Sequence, residues 1–329
     1  MIRRLTLPIS LAATPALGVI ALSLCVLPGG VARAASLTCA TPAARVVSVT
    51  DAKTLKAALA AVRPGDRVVL ADGTYAGRFA LKTDGTPTQR IQVCGGPGAV
   101  LDGGSWSTGY GLTVNADNVD LVGFTVTDSQ KGIVLDASSY DVLDGLQVTR
   151  IGDEGIHLRT GSHDDVVRSS TITDTGLRVA DFGEGVYIGS AYNNWCTYTG
   201  CDPDRSDRNT VTGSTFARNG AEAVDIKEGT TGAVVTLNTF DGTGSSALSW
   251  VDAKGNDAQV LANNGRVARR DGFLTEVGAS GWGVRNLFAA NVADVQGPGY
   301  GVNVKPGNTI ACSNIVTNAA KGLGDVPCQ

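Results

Sequence analysis

The feature that most restricts the fold is a short run of glycine or alanine, an apolar residue, a polar residue and an apolar residue that recurs along the 329-residue chain. It reads Gly111-Leu-Thr-Val114, Gly132-Ile-Val-Leu135, Gly155-Ile-His-Leu158, Gly185-Val-Tyr-Ile188, Ala223-Val-Asp-Ile226, Ala247-Leu-Ser-Trp250 and Gly301-Val-Asn-Val304. A second run lies between them, as in Val119-Asp-Leu-Val-Gly-Phe124, Val142-Leu-Asp-Gly-Leu146 and Val234-Val-Thr-Leu-Asn-Thr-Phe240. The shortest steps between the first runs are 21, 23 and 24 residues, one solenoid coil of three short strands and three turns. A single coil cannot bury its apolar face, so the coils must stack. A leucine-rich repeat has a similar period, but its Leu-x-x-Leu-x-Leu pattern is absent. The repeat predicts an all-β, right-handed parallel β-helix.

Both ends of such a stack need cover, because terminal strands carry unpaired backbone groups. Asp51 followed by Leu55, Leu59 and Val62, ending at Pro64-Gly65, predicts a capped amphipathic helix at the N-terminal end. The segment from Cys312 to Cys328 is the expected cap at the other.

The chain opens with Arg3-Arg4, an apolar stretch from Leu5 to Leu27 and Ala32-Arg33-Ala34, the pattern of a secretory signal peptide over residues 1–34. An uncleaved membrane anchor is the alternative, disfavoured by Pro8, Pro15 and the cleavage site. Residues 35–329 are read as one secreted, extracellular domain, since no linker or charge block divides them. Without Cys25 of the leader, six cysteines remain, an even number that suits disulfides in an oxidising compartment. Sequence proximity favours Cys39–Cys94, Cys196–Cys201 and Cys312–Cys328. Removing Arg3, Arg4 and Arg33 takes the formal charge from −4 to −7, which argues against a nucleic-acid partner. No later stretch is long and apolar enough to span a bilayer, so no membrane contact is expected after cleavage, and a monomer is expected.

One hexapeptide recurs on three successive first-strand runs: Glu154-Gly-Ile-His-Leu-Arg159, Glu184-Gly-Val-Tyr-Ile-Gly189 and Glu222-Ala-Val-Asp-Ile-Lys227. Side chains alternate along a strand, so in-register stacking predicts three outer columns: Glu154/Glu184/Glu222, His157/Tyr187/Asp225 and Arg159/Gly189/Lys227. Rungs about 4.8 Å apart make the glutamates repel one another. Calcium held by Glu154, Glu184, Glu222 and Asp225 is one remedy; protonation or pairing with Arg or Lys is the other. Lys227 is the candidate base, with Tyr187 or Arg159 assisting, in a β-elimination on a uronate polymer. Two stretches interrupt the repeat. Residues 190–208 carry Tyr192 and Trp195, and residues 264–282 carry Arg266, Arg269 and Arg270. With His157 these are the candidate substrate-binding residues for an acidic extracellular polysaccharide.

The chain resembles the pectate-lyase-like β-helix superfamily, and within it the chondroitinase B and alginate lyase family. The likeness rests on Leu55-Lys-Ala-Ala-Leu-Ala-Ala-Val-Arg-Pro-Gly-Asp66 with Val68-Val-Leu-Ala-Asp-Gly-Thr-Tyr75, and on Glu222-Ala-Val-Asp-Ile-Lys227 followed by Asn238-Thr-Phe240. The resemblance implies that Glu222 binds calcium and that Lys227 is the base. It departs at Gly220, where the family has a second calcium glutamate, and at Leu248-Ser-Trp250, where the family's arginine is expected. Glu184 and Glu154 are then the expected substitutes for the carboxylate, and Arg159 or Tyr187 for the arginine. An inverting glycoside hydrolase built on Asp153, Glu154, Glu184, Glu222 and Asp225, and a non-catalytic carbohydrate-binding protein, are the rival readings.

Overall fold

The computed structural model describes Cys39 and residues 42–329; the signal-peptide reading of residues 1–34 lies outside the described residues. The described chain winds as a right-handed parallel β-helix with three sheets. Sheet A has eleven strands, sheet B ten and sheet C nine, and every named strand pair is parallel, each coil adding a strand to a sheet. Strand geometry places alternate side chains inward, and these are apolar: Val148, Ile172, Phe216 and Phe240 line sheet B, with no accessible surface. Phe216, Phe240, Phe273 and Phe288 stack through the interior with centroids 5.5, 6.4 and 6.2 Å apart, each such pair contributing about 0.5–1.5 kcal/mol beyond burial.

The N-terminal helix, Ala52–Ala60, forms as predicted. Asp51 accepts from the Thr54 amide at 2.8 Å while the Thr54 hydroxyl accepts from the Asp51 amide, a reciprocal cap. Leu55 and Leu59 are buried against the first coil. All three expected disulfides are present, and Cys312–Cys328 closes the C-terminal coil. Among the described residues no helix is long and apolar enough to cross a membrane.

The turns carry a second set of repeats. Between sheets A and B, each coil's turn amide donates to a side-chain oxygen of the next coil: Ser214 to Asn238 at 2.9 Å, Asn238 to Asn263 at 3.0 Å, Asn263 to Asn291 at 3.0 Å and Asn291 to Asn314 at 3.0 Å. These amides are buried, where an unpaired N–H is costly. Between sheets C and A the same device uses acids, the Val119 amide donating to Asp141 and the Asp141 amide to Asp165, which in turn donates to Asn209. Burial pushes Asp141 up to about 7. The preceding turn residue is left-handed and often paired across coils, as in Arg208–Asp164 and Arg285–Asp257.

One predicted strand is displaced. Ala247-Leu-Ser-Trp250 is turn rather than strand, and Val251–Ala253 pairs instead, Val251 with Val224 and Asp252 with Asp225. A lengthened turn after Asp241 absorbs the run, and Trp250 fills the corner against Phe273 at 5.4 Å. Its ring lies where a side chain at Gly265 would stand, 2.3 Å from a β-carbon there.

Replacing Asn263 by Ala removes an acceptor for the Asn238 amide and is expected to lower stability by about 2–3 kcal/mol in denaturant unfolding. Asp141 has a folded pKa above its unfolded value of about 4, so its contribution is complete below pH 4 and lost as pH rises through about 7. Thermal unfolding of Asp141→Asn is expected to show a flatter decline over that window and a higher Tm than the parent at pH 8.

Candidate active site on sheet C

The three predicted columns form on the outward side of sheet C. His157 pairs with Tyr187 and Tyr187 with Asp225. The Gly155 amide donates to the Glu184 carbonyl and the Gly185 amide to that of Glu222, which stacks the glutamates. The correct register extends the columns by one coil, since Asp252 follows Asp225 and Lys254 follows Lys227. The columns point outward but are not open to solvent: His157 is 3% exposed, Tyr187 8% and Arg159 6%. Tyr198 of segment 190–208 lies over the Arg159 guanidinium at 4.5 Å and Tyr110 at 5.5 Å, and Thr230 packs on Gly189.

Buried charges persist when paired, and most of these are. Glu154 is bound by the Lys131 ammonium. Asp225 is held between two ammonium groups, Lys227 at 2.7 Å and Lys254 at 2.9 Å, and Lys254 also reaches Asp252 at 2.7 Å. Burial works to raise Asp225, but the two lysines outweigh it and hold it below the ordinary carboxylate range. Burial lifts Asp252 to about 7. Lys254 is likewise opposed by burial, yet Asp225 and Asp252 hold its ammonium well above the usual range.

Glu184 and Glu222 have no such partners. Glu184, Glu222 and Asp225 each bring a carboxylate oxygen within 4.8 Å of the others. Burial first, then neighbouring acids, pushes Glu184 well up, and burial raises Glu222. Oε2 of Glu184 is buried without a hydrogen-bond partner. A hard divalent cation or a proton satisfies that oxygen, and Glu184, Glu222 and Asp225 are the residues that could hold such a cation.

Beside these acids lie the candidate reactive groups. The Lys227 ammonium lies 4.9 Å from the Tyr187 ring centroid. Burial and then Asp225 push the Tyr187 phenol well above its usual value, so it is a protonated donor at neutral pH. Arg159 pairs with Asp136 at 3.0 Å, while its Nε and Nη1 are buried with no partner.

Among solved structures, an alginate lyase from Paenibacillus sp. str. FPU-7 is 37% identical, with a TM-score of 0.81, over 86% of this chain and 99% of that one. The chain belongs to the family of this alginate lyase. No protein-family model and no curated protein matches. Pectate lyase Pel9A is similar at TM-score 0.65 and 16% identity, covering 87% of this chain and 79% of that one. A family 28 exopolygalacturonase from Yersinia enterocolitica is similar at 0.52 and 12%, covering 87% and 76%. These two share the fold.

In this alginate lyase relative the remaining predicted residues fall into place unevenly. Segment 190–208 is a true insertion between sheets C and A. Tyr192 is 56% exposed on it, and Trp195 is half-buried with its indole donating to the Ser190 carbonyl at 2.9 Å. Residues 264–282 are not one insertion. Asn264–Arg266 is a strand of sheet B, and Arg266 there is paired with Asp241 because its strand stacks in register on Thr239–Asp241. Arg269 is bound to the Ser246 carbonyl and Arg270 to Asp271 at 2.7 Å, in the turn leading to sheet C. The extra chain is residues 275–286, where Trp282 stacks with Arg205 of the other insertion at 5.6 Å. Lys131, Lys254 and Asp252 were not expected in the site. The repetition of Val224-Asp-Ile-Lys227 in Val251-Asp-Ala-Lys254 is the signal for two of them.

Replacing Lys254 by Met leaves two buried acids facing each other and is expected to cost about 3–5 kcal/mol in urea unfolding, part of which a second change, Asp252→Asn, restores.

Proposed function

We propose that the chain is a polysaccharide lyase that opens a uronate polymer, alginate before others, by β-elimination. The observation that supports it most is the side-by-side placement of Lys227 and Tyr187 on adjacent coils. Lys227 is the group that takes the C5 proton as a double bond forms between C4 and C5 and the C4–O4 bond breaks, and the Tyr187 phenol protonates O4. Arg159, paired with Asp136, adds positive charge on the same side of the sheet, where the charge of the substrate carboxylate must be offset before the C5 proton is acidic enough to leave. Glu184 and Glu222, with Asp225 beside them, would hold a calcium ion, which when bound supplies further positive charge. Secretion, an acidic extracellular polysaccharide as substrate and a monomeric state complete the proposal, and the three disulfides favour an oxidising compartment.

The inverting-hydrolase reading requires carboxyl groups about 6.5–9.5 Å apart with room for water. Here Glu184, Glu222 and Asp225 lie within 4.8 Å of one another, and Asp225, Glu154 and Asp153 are each tied to a cation, by Lys227 and Lys254, by Lys131 and by Arg178, which favours the lyase.

Incubation of the protein with alginate, pectate and other uronate polymers is expected to yield ultraviolet-absorbing unsaturated uronides. Reducing ends without that absorbance indicate a hydrolase, and retention without cleavage a binder. Lys227→Ala and Tyr187→Phe are each expected to lower kcat by about 100-fold or more, and full activity in Lys227→Ala removes the base assignment. A chelator is expected to reduce activity and added calcium to restore it; calorimetry with calcium on Glu184→Gln is expected to show binding lost.

A further inference from the structure

His157 is buried beside Tyr187, yet both of its ring nitrogens are engaged. Its Nε2 lies 2.9 Å from the carbonyl oxygen of Gly189, and its Nδ1 lies 3.3 Å from the Lys131 ammonium. A carbonyl only accepts and an ammonium only donates, so the two partners together select one form of the ring: Nε2 carries the proton and Nδ1 a lone pair. Lys131 is kept charged and in place by Glu154, whose carboxylate is itself 3.7 Å from Nδ1. The ring meets Tyr187 edge to face, with centroids 4.6 Å apart at 74°. Gly189, which supplies the carbonyl, has a φ of +85°, and its position is crowded by Thr230, 2.5 Å from where a β-carbon would be.

We infer that Lys131, Glu154 and His157 form a positioning relay: the lysine and the Gly189 carbonyl lock the neutral Nε2–H imidazole, and the locked ring sets the Tyr187 phenol over Lys227. This rests on the lyase reading for its consequence, but not for its geometry. His157 is then neither a base nor a substrate ligand, since it has no nitrogen free to meet one. The charged and titratable groups around the ring come from four coils. Lys131 comes from the preceding coil, Glu154 and Arg159 from its own, Tyr187 from the next and Lys227 from the one beyond. Burial, reinforced by the lysines and arginine, holds the imidazole well below its ordinary pKa, in agreement with the hydrogen bonds.

The chain has two histidines, and the other, His163, sits on a turn paired with Asp164. In a His163→Gln variant, ring-nitrogen NMR therefore reports His157 alone and needs no turnover. The expected spectrum is a single neutral Nε2–H tautomer from pH 5 to 8. A ring that titrates in that range, or one protonated on Nδ1, overturns the inference whether or not the protein is a lyase. Adding Lys131→Met is expected to release the ring, giving mixed tautomers or a titration, and to lower kcat by about tenfold or more with KM within about twofold; Lys131→Arg is expected to recover most of both. An unchanged tautomer and an unchanged kcat in Lys131→Met overturn the relay. If that variant does not fold, the spectrum of the His163→Gln protein still decides the tautomer. If the parent lacks lyase activity while the tautomer is as expected, the geometry stands and the functional reading fails.

Discussion

Everything in this molecule follows from parallel strands stacked in register, which place each side chain about 4.8 Å from its counterpart one coil away. Inward, that spacing turns the repeat's apolar positions into continuous columns of aliphatic and phenyl groups. Outward, it forces like positions together, so any charged column must be balanced within itself. The turns solve this with alternating signs, Arg150 over Asp128 and Arg218 over Asp174. Sheet C solves it with lysines, Lys131 for Glu154 and the pair Lys227 and Lys254 for Asp225. Where the balance is incomplete, at Glu184 and Glu222, a proton or a cation has to enter. At Glu184 the stacking leaves a buried carboxylate oxygen without a partner from the chain.

Much of this was legible from residues. The spacing of the glycine-led runs defined the coils, the period of two defined which side of each strand faces out, and the recurrence of Glu154, Glu184 and Glu222 at one offset before three strands defined the register there. Asp51 ahead of Leu55, Leu59 and Val62 marked the helix start, a local signal. The cysteine pairs followed from proximity along the chain.

What escaped the sequence involved turns of variable length. Ala247-Leu-Ser-Trp250 has the alternation of a strand, and only the space for an indole beside Gly265 and Gly272 turns it into a corner, shifting Lys254 into the site. Arg266 looked like part of a loop because its neighbours are polar, whereas it continues an outer column of sheet B that runs through Thr173, Ala217 and Asp241. Arg159 is covered by Tyr110, from the sheet C strand two coils earlier, and by Tyr198, from the 190–208 insertion, a relation that no local pattern encodes.

Substrate is proposed to lie across sheet C at the coils of His157, Tyr187 and Lys227. A crystal structure of the inactive Lys227→Ala variant with an alginate oligosaccharide tests it most directly. The predicted result is a sugar chain with one uronate carboxylate against Arg159 and the scissile oxygen at Tyr187; an oligosaccharide bound on sheet A or sheet B, with the sheet C columns untouched, would contradict it.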